Sequence, residues 1–280
     1  MSRENDEFQA VRGIADPIER ARQAAELSVI YGQRAAELRR VRIEAVEEAK
    51  ATGMTQMRIA ELLGVSRGRI SQIKKSAPPR ERVMFGVGPV HIGIPYRYAM
   101  TDRTRPLIAA EDSETANQLD ELLHGYAFET RRFQVGPETD ELGDGDRILV
   151  CGPKSSPITA HLMSRDLQCG MESIDGRWWI TTPDGQMGSP MDTGGETADI
   201  GYLARHRFRD RIVFHIAGIH AIGSLGVVHF LSANLDNLFS RLGDVSFSAV
   251  IVSNSAGLEV TQSALIAGPF VWSQEYEDAL

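Results

Sequence analysis

Cysteine is scarce in this chain of 280 residues: Cys151 and Cys169 are the only two. They form neither a CxxC pair nor a disulfide framework, and no Cys/His spacing suits a zinc site. The N-terminus has no secretory signal, so a reducing cytoplasm is the expected location. The glycine-rich segments contain no GxxxxGK[ST] loop and no dinucleotide fingerprint. No serine elbow and no assignable Cys–His pair is present, and "TDELGDGD" lacks the spacing of a calcium loop. There is no internal repeat or low-complexity tract. Only Ile212 to Leu231 approaches the length of a membrane span. That run contains His215, His220, His229 and three glycines, which fits a buried strand followed by a helix better.

What is present reads as a globular protein of one large or two modest domains, with 42% hydrophobic and 24% charged residues. The net charge of −8 hides an asymmetry. Residues 1–82 carry 16 Lys/Arg against 12 Asp/Glu, and within 51–82 the tally is 7 to 2. Positive charge therefore gathers in one short region, as phosphate contact requires.

The periodicity predicts an N-terminal all-α domain over 1–77, a linker over 78–84 and an α/β effector domain over 85–280. The first fifteen residues are polar and expected to fray. Asp16-Pro17 is a helix start, with Asp as N-cap and Pro at the first position. A break is expected near Tyr31-Gly32, then a second helix to about Lys50 with Leu38, Val41, Ala45 and Ala49 inward. From residue 84 strands and helices alternate: a strand around Val90–Ile94, a helix over about 113–126, the strand "DRILVCG" and the helix "SSPITAHLM". "MESIDGRWWITT" reads as a hairpin, since Asp175-Gly176 suits a type I′ turn. "RIVFHIAG", a following helix and "FSAVIVSNS" complete the pattern. The expected fold is a Rossmann-like, largely parallel, doubly wound sheet with an inserted β-hairpin.

Residues 54–75, "MTQMRIAELLGVSRGRISQIKK", carry the most specific pattern. Thr55 caps a first helix whose inward residues are expected to be Ile59, Leu62 and Leu63, with small Ala60 letting a second helix approach. Gly64 permits the turn, Val65 plugs the corner, and Ser66 caps the second helix. There Ile70 and Ile73 point inward, leaving Gly68, Ser71, Gln72 and Lys75 on the opposite face, flanked by Arg67, Arg69 and Lys74. The segment resembles a helix-turn-helix of bacterial transcription regulators and of the promoter-reading region of sigma factors. The resemblance implies binding of double-stranded DNA. Arg67 and Gln72 suit base edges, Arg69, Lys74 and Lys75 suit phosphates, and Gly68 allows close approach; Thr55 and Gln56 suit the backbone. One such module has a small footprint, so a homodimer on two half-sites is expected.

Two glycine-bearing strand ends mark the α/β region. "ILVCGPKSSPITAHL" places Gly152, Lys154, Ser155, Ser156 and Thr159 where a parallel sheet collects anions; a plain strand-to-helix turn with a serine cap fits equally. "HIAGIHAIGSLGVVHFL" surrounds His220 and Ser224 with Gly218, Gly223 and Gly226. Tight helix–sheet packing and a ligand crevice both account for it. Asp192, Glu196 and Asp199 fit an acidic loop first and a ribose or base site second. No metal ligand and no certain cofactor is expected; a nucleotide or sugar-phosphate is the candidate effector. The expected function is a transcriptional regulator with a sensing or dimerising α/β domain. The alternative is an enzyme acting on a nucleotide or sugar-phosphate, fused to a DNA-binding head, with His220, Asp192 or Asp199 catalytic.

Overall fold

The local signals at the N-terminus take effect in a different order from that expected. The computed structural model describes residues 3–100, 103–194 and 197–272. The opening residues form helix α1 (Arg3–Arg12) instead of fraying, because Phe8 stacks on Tyr31 at 5.4 Å and the Tyr31 hydroxyl donates to Glu7 at 3.0 Å. Asp16 accepts the Ile18 N–H at 2.8 Å and starts α2 (Pro17–Ala51), with Pro17 in the first turn. This helix runs unbroken through Gly32: one glycine costs about 1 kcal/mol against alanine, too little to interrupt alanine-rich helical sequence on both sides. Its buried residues are Gln33, Ala36, Arg40 and Val46, whereas Leu38 and Val41 are exposed. Arg40 is buried because Glu37 and Glu44 both pair with it, at 2.7 and 3.1 Å. Gly53, at φ +94°, then turns the chain into α3 (Gln56–Leu62) and α4 (Arg67–Ser76).

The chain divides into two compact units. One runs to Arg80 and takes in Val87–Pro89; the other comprises Glu81–Gly86 and the chain from Val90 onward. A 3-10 turn, Arg80–Phe85, buries Met84 and Phe85 in the core of the second unit. There Arg82 lies over the Phe128 ring at 3.6 Å and donates to the carbonyls of Tyr126 and Ala127, both at 2.7 Å.

The second unit is a mixed α/β domain. Its elements in chain order are β1 (Val90–Pro95), β2 (Arg97–Met100), β3 (Thr104–Leu107), α5 (Ala110–Gly125), β4 (Thr130–Val135), β5 (Arg147–Val150) and α6 (Pro157–Ser164). Then come β6 (Gly170–Ile174), β7 (Arg177–Thr182), β8 (Gly185–Gly188), β9 (Ala198–Arg207), β10 (Ile212–Gly218), α7 (Ala221–Leu242), β11 (Phe247–Ala256) and β12 (Glu259–Val271). Seven strands form the main sheet in the order β12-β11-β9-β10-β5-β1-β4. The β4, β1, β5 and β10 pairings are parallel, and those of β10–β9, β9–β11 and β11–β12 are antiparallel.

This corrects the expectation of a largely parallel, doubly wound sheet. The crossover β10–α7–β11 does join strands of the same direction. The segment read as an acidic loop supplies β9, however, which inserts between them and reverses the pairing. Helices α5 and α7 cover one face through Leu119, Leu123, Val227 and Leu231. The other face is covered by α6 and by the small antiparallel sheet β6-β7-β8, whose Ile180 packs with Tyr202, Ala204 and Ala217. The β6–β7 turn has positive φ at both Asp175 and Gly176, as the type I′ hairpin requires. Among the described residues no helix is long and apolar enough to cross a membrane; the run from Ile212 is a strand and a helix.

Candidate functional site

The helix-turn-helix is built from its caps inward. Thr55 accepts the Arg58 N–H at 3.2 Å and Ser66 the Arg69 N–H at 3.1 Å, fixing both helix starts. Between them Gly64 takes φ +62°, a left-handed conformation that a side chain disfavours, and the Val65 N–H returns to the Ala60 carbonyl at 3.0 Å. Val46, Ile59, Ala60 and Ile70 form the interior, with Ala49 and Val65 packed against them. Ile73 is buried beside them on α4. Leu62 and Leu63, expected inward, are 59% and 46% exposed. Helix α3 is only seven residues long and ends at Leu62, so only its middle, Ile59 and Ala60, faces the other helices.

The outer face of α4 is open. Arg67, Gly68, Arg69, Ser71, Gln72, Lys74 and Lys75 are all exposed, and Gly68 has nothing closer to a would-be Cβ than the Ser66 hydroxyl at 3.9 Å. Gln56 reaches Ser71 at 3.4 Å, and Arg69 reaches Gln72 at 3.4 Å. Residues 40–78 match the family model for sigma-70, region 4. The segment is a region 4 DNA-binding motif. No curated protein and no solved structure matches the chain.

Within the region 4 motif the cations differ in how free they are. Lys74 pairs with Glu47 of α2 at 3.0 Å, a carboxylate that also holds Lys50 at 3.1 Å. Both partners are exposed, so the Lys74 pair is weak and solvent-screened. The region 4 match includes the end of α2, which carries Val46 and Glu47 into the motif alongside the two short helices.

In the second unit, the two glycine turns lie at the C-terminal ends of β5 and β10, adjacent parallel strands. The first is largely committed to its own structure. Thr159 donates to the Gly152 carbonyl at 2.9 Å and lies 3.1 Å from the Ser156 hydroxyl, both residues being buried. Pro157 has no N–H, and the Ile158 N–H is taken by the Thr139 carbonyl at 3.1 Å, so two of the helix-start donors are not free for an anion. Gly152 itself is open, with only Ala217 near a would-be Cβ at 4.0 Å. Ser155 is half-buried, and Lys154 is exposed over the Trp178 ring at 5.6 Å.

At the second turn, Gly218 and Gly223 pack against one another and Ser224 accepts the Gly218 N–H at 2.9 Å. A Cβ on Gly218 would lie 2.0 Å from the His220 carbonyl, and one on Gly226 would lie 2.0 Å from the Ser253 hydroxyl. These glycines let α7 lie directly on the sheet. His220 stands apart from that packing. Its Nδ1 is 3.2 Å from Asp199, its Nε2 is 3.2 Å from Asp192, and its backbone N–H donates to Asp199 at 3.0 Å. The Asp199 side chain is 0% exposed, that of Asp192 24% and that of His220 41%. The hydrogen bond to Asp199 is the main influence raising the imidazole pKa. Glu196, the third acid of this stretch, lies outside the described residues.

Asp112, in the first turn of α5, was not among the sequence candidates. Burial, with the neighbouring Glu111 charge, pushes its carboxyl up to about 7, against the opposing fields of Arg97 and Lys154. The two acids at that helix start were readable only as complements of the helix dipole; burial of one of them is a tertiary fact. Among the described residues no group of three or more His, Cys, Asp or Glu is placed to hold a metal ion. A separate cavity of about 390 Å³ beside α6, lined by Asp140, Glu141, Asp144, His161 and Arg211, contains none of these strand-end residues.

Proposed function

We propose that the chain is a transcription regulator that lays the outer face of α4 in the major groove and binds an anionic, nucleotide-like or sugar-phosphate effector at the strand ends of its α/β unit. The observation that carries the DNA half is the fully exposed α4 face, with Gly68 bare at its centre and Arg67, Arg69 and Lys75 around it, in a segment that matches sigma-70 region 4. Arg67 and Gln72 read base edges; Arg69, Lys74, Lys75, Thr55 and Gln56 hold the backbone. Support for the effector half is thinner and lies in Gly152, Lys154, Ser155 and His220, which follow the ends of the adjacent parallel strands β5 and β10. The chain acts as a homodimer, since two modules about one helical turn apart double a small footprint. Exposed Leu38, Val41, Leu62 and Leu63 are apolar surface available to such an interface.

The test is a mobility shift on fragments of the protein's own upstream region across a salt series. A retained complex with steep salt dependence is expected. Arg69→Ala and Lys75→Ala should each lower the slope of log affinity against log salt by about 0.9. Gln72→Ala should weaken preferred sequences more than random ones. Failure of the intact protein to shift any fragment at low salt removes the reading.

A further inference from the structure

The main sheet ends on two edge strands of opposite character, β4 and β12. An edge strand presents a row of N–H and C=O groups to any other chain, and short length or charged side chains are the common guards against pairing there. β4 has both: it is six residues long and carries Arg131 and Arg132. β12 has neither. It runs for 13 residues, against a usual strand of about 5–6, and its one charged residue is Glu259 at the first position. Among the described residues no strand pairs with its outer edge. We propose that β12 pairs there with β12 of a second copy, antiparallel and centred on Ala264, so that one sheet runs across a homodimer. The inference rests on the homodimer proposed above and gives it a surface.

The chemistry of the edge selects its occupant. A row of backbone donors and acceptors is matched by another extended strand, whose own row is complementary. Charge then favours a second copy. Residues 83–280 carry 14 Lys/Arg against 26 Asp/Glu, so two such units repel over most of their surface. From Val260 to Val271 no residue is charged, and self-pairing there sets no like charges opposite one another. Leu258 in the preceding turn, Ile266 and Val271 add exposed apolar side chains along the same strand, surface that a paired copy can cover.

Symmetry fixes the register. A two-fold axis relating antiparallel strands stands normal to the sheet and keeps every side chain on its own face, so a residue must lie on the axis. Against β11 the register of β12 shifts at Thr261 and again at Ile266, which leaves Gln262–Leu265 as the regular run. In its middle Ser263 is turned to α7, its hydroxyl 2.7 Å from Nδ1 of His229. Ala264, next along the strand, points to the other face and is exposed. Its methyl is small enough to stand opposite its own copy.

The test is light scattering of the full-length protein over a series of concentrations, joined to cysteine cross-linking. The native chain is expected at the mass of two copies. Ala264→Lys, which places a charge on the edge at an exposed position, should give the mass of one copy with an unchanged far-UV circular dichroism spectrum. Ala264→Cys should form a disulfide-linked dimer under mild oxidation. Gln262→Cys should not, because two residues from the axis it stands about 14 Å from its own copy. Cys151 and Cys169 are both buried and add no background. Should Ala264→Lys fail to fold, the two cysteine variants decide. A folded Ala264→Lys that stays dimeric overturns the inference and leaves the homodimer standing, as does dimer loss in Leu38→Glu but not in Ala264→Lys. Equal cross-linking of the two cysteine variants also overturns it. A native protein that is monomeric at every concentration overturns the inference and the homodimer together.

Discussion

Gly68 separates folding from recognition at a single position. It sits in the first turn of α4 with open space where a Cβ would go, so Gly68→Ala should leave the fold intact and stabilise the helix by about 0.5–1 kcal/mol. The added methyl stands on the face proposed for the groove, so DNA affinity should fall while the melting temperature holds or rises. Unchanged affinity in an anisotropy titration would place the groove contact elsewhere. His206 poses the opposite problem, a polar side chain with nowhere to go. It is fully buried, stacked on Phe208 at 5.9 Å and edge-on to Trp272 at 4.8 Å, and neither ring nitrogen has a hydrogen-bond partner among the described residues. Burial holds its pKa well below the ordinary value, and His215, bonded to the Cys151 carbonyl at 2.8 Å, is lowered to about 4.

The pH consequence follows from linkage. A histidine that must stay neutral in the fold leaves stability intact above the unfolded pKa of about 6.5. Below it, the unfolded chain binds the proton first, and each such group removes about 1.4 kcal/mol per pH unit until its folded pKa is reached. Asp112 works the other way, its raised carboxyl favouring the fold as pH drops below about 7. Comparing His206→Leu with the native protein in denaturant melts at pH 7 and pH 5 cancels that term. The variant should gain about 1 kcal/mol at pH 7 and more at pH 5. An equal difference at the two pH values would mean that His206 is protonated in the fold.

At the scale of elements, helix α2 does two jobs. Its C-terminal turns supply Val46 to the interior of the region 4 motif, and Glu47 beside Val46 holds Lys74 on α4. Glu47→Gln should release that lysine and remove a carboxylate from beside the proposed DNA contact. The expected result is DNA binding about threefold tighter at low salt with a slope steeper by up to about 1, and no change in melting beyond about 0.5 kcal/mol. Weaker binding would mean that the ion pair positions Lys74. Strand β9 is the element whose identity changes the architecture. Its flanking "SPMDTGGE" is rich in turn formers and masks the strand that follows. Yet Ile200, Tyr202, Leu203 and Ala204 are all buried, facing alternate sides of the sheet. A strand covered on both faces loses the apolar–polar alternation that makes an exposed strand legible.

For the molecule as a whole, assembly is the property to measure. Light scattering of the purified chain, alone and on DNA, should give the mass of two copies, and a monomer in both states would argue against paired half-sites. The region 4 motif was readable in full outline because its information is local. Two caps, one glycine at φ +62° and a pair of inward isoleucines fall within 54–75, and each acts through neighbours three or four residues away. The outward leucines show the limit of that reading, since helix length and the third helix decide how much of an amphipathic face is covered. Three of the four parallel strands were legible for the same reason, β1 from the alternation of Val90, Ile92 and Ile94, and β5 and β10 as short apolar runs followed or closed by glycine; β4 was not read. The strand-end cluster was not. Lys154 and His220 stood out by type, and Asp192 and Asp199 were readable as an acidic loop or a base site, but only folding sets those two carboxylates against the two nitrogens of one ring. By itself the sequence determined the helix-turn-helix and the α/β alternation, which depend on spacing along the chain. Only the tertiary structure decided the sheet order and the partners of His220, because hydrogen-bond pairing between strands and the approach of a carboxylate to a ring are set by residues distant in sequence.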